Sequence, residues 1–445
     1  MNRALLFAFF LFALLLFPFK QLIPQEDPFR INETGPRTIK SQDIFLLWME
    51  DIDPTSGTNY KSYQKVYRYK TDGILIPHDS LDIDTMMTKT TRREDSRPGR
   101  NSYVDVATGK FNTDPYDDAV AIWRTSNSNQ KLEIMISHFD TTGFFNQTTN
   151  ITLDVGEEIR QTEEVYVRTG NFDEDNTNEF LVAFRDQSDS VIFYLYDVDS
   201  TLQATVIKRF SDLKVSGSSL THFIKYFIES ADLNGDGIDE LISCTWETGV
   251  TSTYVPIVIR VYAFENGLIV PKGTTVIQVP LVETTGLQAF VMAAAKGQFD
   301  SDEYDEFVFS AVIKANNIHR SQHYIINVSQ NLSSISVGPR QQFTLTSHSP
   351  NTYTEFCVAA GDLNDTYNKR DEVIFVAGTQ VRVTSVRDDY TLEVKAQIPV
   401  VNGGGNDYLQ SNNYLKISDL NMDRRKDILV VKNVVAVTPL AEKDF

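Results

Sequence analysis

Two hydrophobic patterns divide the chain. Near the start Arg3 precedes an unbroken apolar run from Ala4 to Phe19, and further on apolar residues come in short β-rich runs separated by turn residues. Runs such as 190–198, 254–264 and 380–386 predict strands, because β-branched and aromatic residues between Asn, Asp, Gly and Ser clusters suit a pleated, half-buried surface. Outside the N-terminal run no window carries a helical period, so the chain is predicted to be all-β.

Superimposed on the strands is one short pattern that occurs six times: a small residue, a loop starter, an apolar residue, an acidic loop and another apolar strand. The copies begin Gly109-Lys110-Phe111, Gly170-Asn171-Phe172, Ala231-Asp232-Leu233, Gly297-Gln298-Phe299, Gly361-Asp362-Leu363 and Ser418-Asp419-Leu420. Consecutive starters are 61, 61, 66, 64 and 57 residues apart, a regularity that marks a repeat architecture. A unit of about 60 residues with about four strands is one sheet, which cannot cover both its faces but can be covered by radial neighbours.

That reasoning selects a β-propeller of six four-stranded blades, or seven if residues 43–101 form a blade without the motif. The small residue ends the innermost strand where sheets converge, and the apolar residue after the starter is expected to tuck between blades. The last copy leaves too little chain for a full blade. The β-like runs at 43–50, 66–70 and 74–77 are therefore expected to pair with it and close the ring, which removes two exposed sheet edges. The expected organisation is 1–23 as a signal peptide or signal anchor, 24–42 as a linker containing Pro24, Pro28 and Pro36, and 43–445 as the propeller.

The N-terminal run spans 16 residues. As a helix it measures about 24 Å, short of a hydrocarbon core of about 30 Å, yet no small-x-small cleavage site follows it. Cleaved signal and retained anchor both stay open, and either exports the rest. Six Asn-x-Ser/Thr sequons at Asn32, Asn146, Asn150, Asn327, Asn331 and Asn364 are surface glycosylation candidates or chance matches in an Asn- and Thr-rich chain. Cys244 and Cys357 are too few for a disulfide scaffold and are expected to be buried thiols. A formal charge of −19 argues against nucleic acid or an anionic membrane surface as partner, leaving a possible N-terminal anchor as the membrane link.

The six loops hold 23 of the 60 acidic residues, so much of the negative charge sits where a cation would offset it. The third copy is the clearest: Asp232, Asn234 and Asp236 alternate, Gly237 follows, and Glu240 stands ninth. Alternating oxygens on a tight loop converge on one point, which suits a hard cation with about 6 to 8 oxygen ligands. An EF-hand would need Glu at position twelve between helices, whereas Ser243 stands there between strands.

This nine-residue loop resembles the calcium loop of integrin α-chains and other FG-GAP/VCBS-repeat propellers, and the resemblance covers residues 102–433. It implies structural Ca²⁺ at two to four sites. The implied ligands are Asp232, Asn234, Asp236, the Ile238 carbonyl and Glu240 in the third copy, and Asp419, Asn421, Asp423 and Asp427 in the sixth. Weaker sets are Asp173, Asp175 and Glu179 in the second copy and Asp300, Asp302 and Glu306 in the fourth, whose starters Asn171 and Gln298 bring no charge. The fifth copy has inserted residues after Asn364. In the first, the Lys110 ammonium is expected to stand where the ion would be, so that no metal binds.

Adjacent acids such as Asp239-Glu240, Asp305-Glu306 and Asp371-Glu372 suit general acid and base work one pair at a time. Their repetition favours a structural role, since an active site is needed once. His319 and His323 would share a helix face but lie in a strand-like region. No HExxH, GxxxxGK[ST] or GxSxG motif occurs. The reading is an exported, calcium-binding recognition or adhesion module for a protein or glycan, more a binder than an enzyme. The alternatives are a carbohydrate-active or lipid-anchor-directed enzyme, or its accessory domain, and a structural subunit of a surface assembly. The mark of the enzyme would be one non-repeating cluster of basic, His or Tyr residues converging on one face, a matter of structure and not of sequence.

Overall fold

The computed structural model describes three strands between residues 43 and 77 and, with interruptions, residues 104–434. The N-terminal segment and linker, and the sixth-loop residues Asp419, Asn421 and Asp423, lie outside the described residues.

Strands β1 (Asp43–Asp51), β2 (Tyr60–Tyr69) and β3 (Leu75–Pro77) form an antiparallel three-stranded sheet in that order. Five antiparallel meanders follow. The first has β4 (Val104–Gly109), β5 (Asp118–Arg124), β6 (Lys131–Phe139) and β7 (Phe145–Asp154). The second has β8 (Tyr166–Gly170), β9 (Glu179–Arg185), β10 (Ser190–Val198) and β11 (Ala204–Lys214). The third has β12 (Tyr226–Ala231), β13 (Glu240–Thr245), β14 (Tyr254–Glu265) and β15 (Leu268–Pro280).

In the fourth, β16 (Leu287–Gly297), β17 (Glu306–Ala315) and β18 (Ile318–Val328) are followed by an outer edge in two pieces, β19 (Ile335–Val337) and β20 (Gln341–Leu345), both paired with β18. The break coincides with Gly338-Pro339, and Pro339 has no N–H to give the ladder. The fifth meander has β21 (Phe356–Gly361), β22 (Glu372–Ala377), β23 (Gln380–Val386) and β24 (Leu392–Pro399). Beyond it, β25 (Asp407–Tyr408) pairs with β28 (Asn433–Val434), and β26 (Leu415–Ser418) pairs with β27 (Asp427–Val430).

The fold is thus all-β, with five four-stranded sheets that resemble propeller blades. Their innermost strands lie side by side in chain order: β4 with β8, β8 with β12, β12 with β16, β16 with β21 and β21 with β26. Among the described residues β1–β3 pair only with one another, and no ladder joins them to β26 and β27. The expected strand pairing at ring closure is not seen there.

The core lies between sheets, which is why second strands such as β9 and β13 are buried at every position. The apolar residue after each starter is part of it: Phe111, Phe172, Leu233 and Phe299 are buried and Leu363 partly so. Phe111 meets Phe180 of the second sheet edge-on at 6.0 Å, and Phe172 meets Phe264 of the third at 4.6 Å. Such pairs add about 0.5–1.5 kcal/mol to the burial itself. The small residues matter for the reason expected. A Cβ on Gly170 would lie 2.8 Å from the Asp239 carboxylate, and one on Gly361 would lie 2.8 Å from Ile417, each on the following sheet. Cys244 and Cys357 are buried free thiols.

Candidate metal loops

Each loop joins the first two strands of a meander, and its side chains fold it. The residue at position three accepts from the N–H at position five: Asn112 from Asp114 at 2.8 Å, Asp173 from Asp175 at 2.9 Å, Asn234 from Asp236 at 2.8 Å and Asp300 from Asp302 at 2.9 Å. These are Asx turns, which a short polar side chain makes with the backbone two residues on. Position five repeats the move with position seven, through Asp175 to Thr177, Asp236 to Ile238 and Asp302 to Tyr304.

The closing acid is the buried member. One of its oxygens accepts from the N–H at position two: Glu179 from Phe172 at 2.6 Å, Glu240 from Leu233 at 2.9 Å, Glu306 from Phe299 at 2.6 Å and Glu372 from Leu363 at 2.9 Å. Burial pushes Glu179, Glu240 and Glu306 each up to about 8, the neighbouring loop acids adding to the rise and the backbone N–H opposing it. A cation between the acids would reverse that pressure, since opposite charge favours the ionised form.

Carboxylate oxygens of Asp173, Asp175 and Glu179 lie within 4.8 Å of one another, as do those of Asp300, Asp302 and Glu306. These are the two sets the sequence ranked lower. In the third loop Asp232 turns its carboxylate back onto the N–H groups of Gly235, at 2.7 Å, and Gly237, at 3.0 Å. Both glycines have positive φ, 77° and 88°, which brings those N–H groups round. The Asn234 amide meanwhile donates to Asp236 and Glu240, at 2.9 and 3.1 Å. Counting charges along the loop did not show this: the glycines that permit the bend also bond the first acid.

In the second loop the residues fit a cation. Glu179 is fully buried, and its Oε1 has no hydrogen-bond partner although Asp173 and Asp175 stand beside it. A buried charged oxygen left alone is costly unless an ion or a proton satisfies it.

The first loop corrects an expectation. The group that meets its acids is the His138 imidazole, whose Nδ1 lies 2.7 Å from Asp118 and 3.1 Å from the Asn112 amide, with Nε2 3.6 Å from Asp114. Asn327, one of the sequon residues, lies against the fourth loop. Its side-chain nitrogen, which a glycan would need, donates to Asp300 and Glu306 at 3.3 Å each and to the Tyr390 hydroxyl at 3.1 Å. Asn331 is exposed.

The adjacent acid pairs divide their labour. The second acid closes its own loop, and the first grips the preceding one. The N–H of Asn178, Asp239, Asp305 and Asp371 donates to the carbonyl of Lys110, Asn171, Asp232 and Gln298, at 2.6, 2.6, 3.0 and 2.7 Å. In three of these the starter's own N–H donates back to the side chain, to Asn178 at 2.6 Å, Asp239 at 2.9 Å and Asp371 at 3.0 Å. Sequence reasoning missed this splice, and a polar residue at position eight was its only signal.

One cluster does not repeat. On the inner strands Arg168 bonds Asp105 at 2.8 Å, lies 3.5 Å from Glu229, and sits over the Tyr166 and Phe227 rings at 5.5 and 5.2 Å. Burial works against its charge, but Glu229 and Asp105 hold the guanidinium above its ordinary value. His323 is fully buried between the Ser310 and Ser321 hydroxyls, at 2.8 and 2.9 Å, and belongs to the core.

No family model matches the chain, and no curated protein matches it. Among solved structures it is similar to the Aleuria aurantia lectin, a fungal six-bladed β-propeller with fucose recognition, at 11% identity and TM-score 0.35, covering 82% of this chain and 97% of the lectin. It is similar to the α-L-arabinofuranosidase Arb93A from Fusarium graminearum, at 8% identity and TM-score 0.41, covering 67% and 82% of the two chains. It is also similar to the NanB sialidase from Streptococcus pneumoniae, at 11% identity and TM-score 0.36, covering 87% and 82%. These likenesses concern the fold, and that fold is propeller-like without being specific to integrin α-chains. They correct the expectation that the chain is more a binder than an enzyme: two of the three are glycosidases.

Proposed function

We propose that the chain is an exported, calcium-held propeller of the FG-GAP/VCBS kind that serves as a carbohydrate-directed scaffold, as a glycan-active enzyme or its accessory domain. Closure of six blades with the N-terminal strands belongs to the same proposal. The observation that carries the calcium part is the fully buried Glu179, whose free oxygen faces Asp173 and Asp175. When bound, the ion would supply positive charge that ties each loop's acids to the strands they join, a structural role. Residues Asp173, Asp175 and Glu179 would hold it in the second loop, and Asp300, Asp302 and Glu306 in the fourth.

Carbohydrate is the ligand class that the names of the lectin, the arabinofuranosidase and the sialidase point to, and it is the class to test first. The Arg168 cluster gives the place to look for chemistry, because two carboxylates and two aromatic rings surround one guanidinium that has no counterpart in the other sheets among the described residues. The test has two arms. Metal-free chain is titrated with Ca²⁺ by calorimetry, with binding expected and silence at millimolar Ca²⁺ sinking the calcium part. The loaded chain is screened on a glycan array and against pooled polysaccharides, wild type beside Arg168→Ala, and no retention or turnover of any glycan would sink the carbohydrate part.

A further inference from the structure

The loops share their backbone frame, yet each pocket has a floor supplied by another strand. In the first meander Ala119 pairs with Ser137, so the next residues along, Asp118 and His138, face each other, and they bond at 2.7 Å. In the fourth, Phe307 pairs with Ile326, which sets Glu306 against Asn327 at 3.3 Å. The same step in the second meander, from Phe180 and Tyr196, sets Glu179 against Asp197. In the third it sets Glu240 against Ala263, from the Leu241 and Tyr262 pair. One position therefore floors each of these four loops, and its chemistry changes from imidazole to carboxylate to methyl to amide; in the fifth, Glu372 faces Ser385.

We propose that this third-strand residue sets which loops hold a divalent cation: Asp197 adds a fourth carboxylate to Asp173, Asp175 and Glu179, and His138 takes the ion's place in the first loop. The inference rests on the calcium reading of the loops and deepens it. The fully buried, unpartnered Glu179 Oε1 marks the second pocket as the one whose needs the protein does not meet. A fourth carboxylate facing the three that lie together would tighten Ca²⁺ binding, since affinity in oxygen sites follows ligand charge.

The other floors rank the remaining loops. His138 already bonds Asp118 and stands beside Asn112 and Asp114. Asn327 donates to Asp300 and Glu306, and the Tyr390 hydroxyl from the fifth sheet donates to Asp300 at 2.8 Å, so neutral donors must give way before an ion enters the fourth loop. Ala263 offers the third loop nothing.

The deciding experiment is a calorimetric Ca²⁺ titration of the whole metal-free chain, wild type beside Asp197→Asn, His138→Asp and, as a control for charge alone, Glu265→Gln. Circular dichroism checks the fold of each. Asp197→Asn is expected to weaken the tightest site about tenfold or more, His138→Asp to add one site, and Glu265→Gln to change neither. Unchanged affinity in Asp197→Asn overturns the assignment, and so does an unchanged site count in a folded His138→Asp. If His138→Asp does not fold, the Asp197→Asn affinity decides alone. A wild-type chain that binds no Ca²⁺ overturns the calcium reading as well, and is told apart because it needs no variant to appear.

Discussion

In the first loop, the pocket framed by Asn112, Asp114 and Asp118 is filled by an imidazole, whereas the matching pocket of Asp173, Asp175 and Glu179 keeps a buried carboxylate oxygen with nothing to bond. The two share their Asx turn and their aromatic plug, although the first carries Asn112 and closes on Asp118 where the second carries Asp173 and closes on the longer Glu179. They differ also in the facing strand, which brings His138 to the first and Asp197 to the second. The frame determines that a loop folds, and a residue from elsewhere in the sheet determines what the loop still lacks.

The shared frame is tested most forcefully by removing the plugs. Phe111→Ala and Phe172→Ala each empty a buried site between two sheets, and both should cost about 3–5 kcal/mol in chemical denaturation. A large gap between the two losses would show that the blades are not equivalent.

The difference between the loops should appear in the response to metal. Saturating Ca²⁺ is expected to raise the melting temperature by several degrees, through binding to the folded state alone. Glu179→Gln should remove much of that rise. Asp118→Asn should lower the baseline by disturbing the His138 contact and leave the rise intact. Equal effects on the rise would break the distinction.

Smaller effects come from the approach of neighbouring sheets. Gly170→Ala would press a Cβ to 2.8 Å from Asp239, and Gly109→Ala would press one to 3.0 Å from Thr169. Each should cost about 1–3 kcal/mol by overpacking, with the larger loss at Gly170.

The smallest signal separates two histidines. His138 stands among acids, whereas His323 is walled in by rings and hydroxyls, and burial holds it down at about 3 against an ordinary 6.5. A depressed folded value means that the unfolded chain takes up the proton first. Its contribution is therefore complete above about 6.5 and lost as the pH falls toward 3. In His323→Gln the melting temperature should fall less steeply across that window, and an unchanged slope would contradict the assignment.

The fold was largely legible because its repeat is local. The small residue, the plug and the alternating acids lie within nine positions, and their spacing set out the sheets before any contact was known. The runs at 190–198 and 380–386 became β10 and β23 within those bounds. The site was legible only as far as it is local. His138 lies 20 residues from Asp118, and finding it requires the register of a hairpin. The splice partners lie 68 or 73 residues apart, beyond any single-repeat pattern. Asp232 shows the opposite case, since the N–H groups it bonds, on Gly235 and Gly237, lie so near that no spacing sets them apart.

The splices have a mechanical consequence. Each fastens a loop only to the one before it in the chain, so a pull on one hairpin is felt first by its predecessor and fades along the row, as in arrays whose units interact through nearest neighbours. An ion that stiffens the second hairpin would brace Lys110 on one side, through Asn178, and Asp239 on the other, through Asn171. Strength would then pass from a loaded unit to the unloaded units beside it, and a few well-placed ions would suffice to make the whole row rigid.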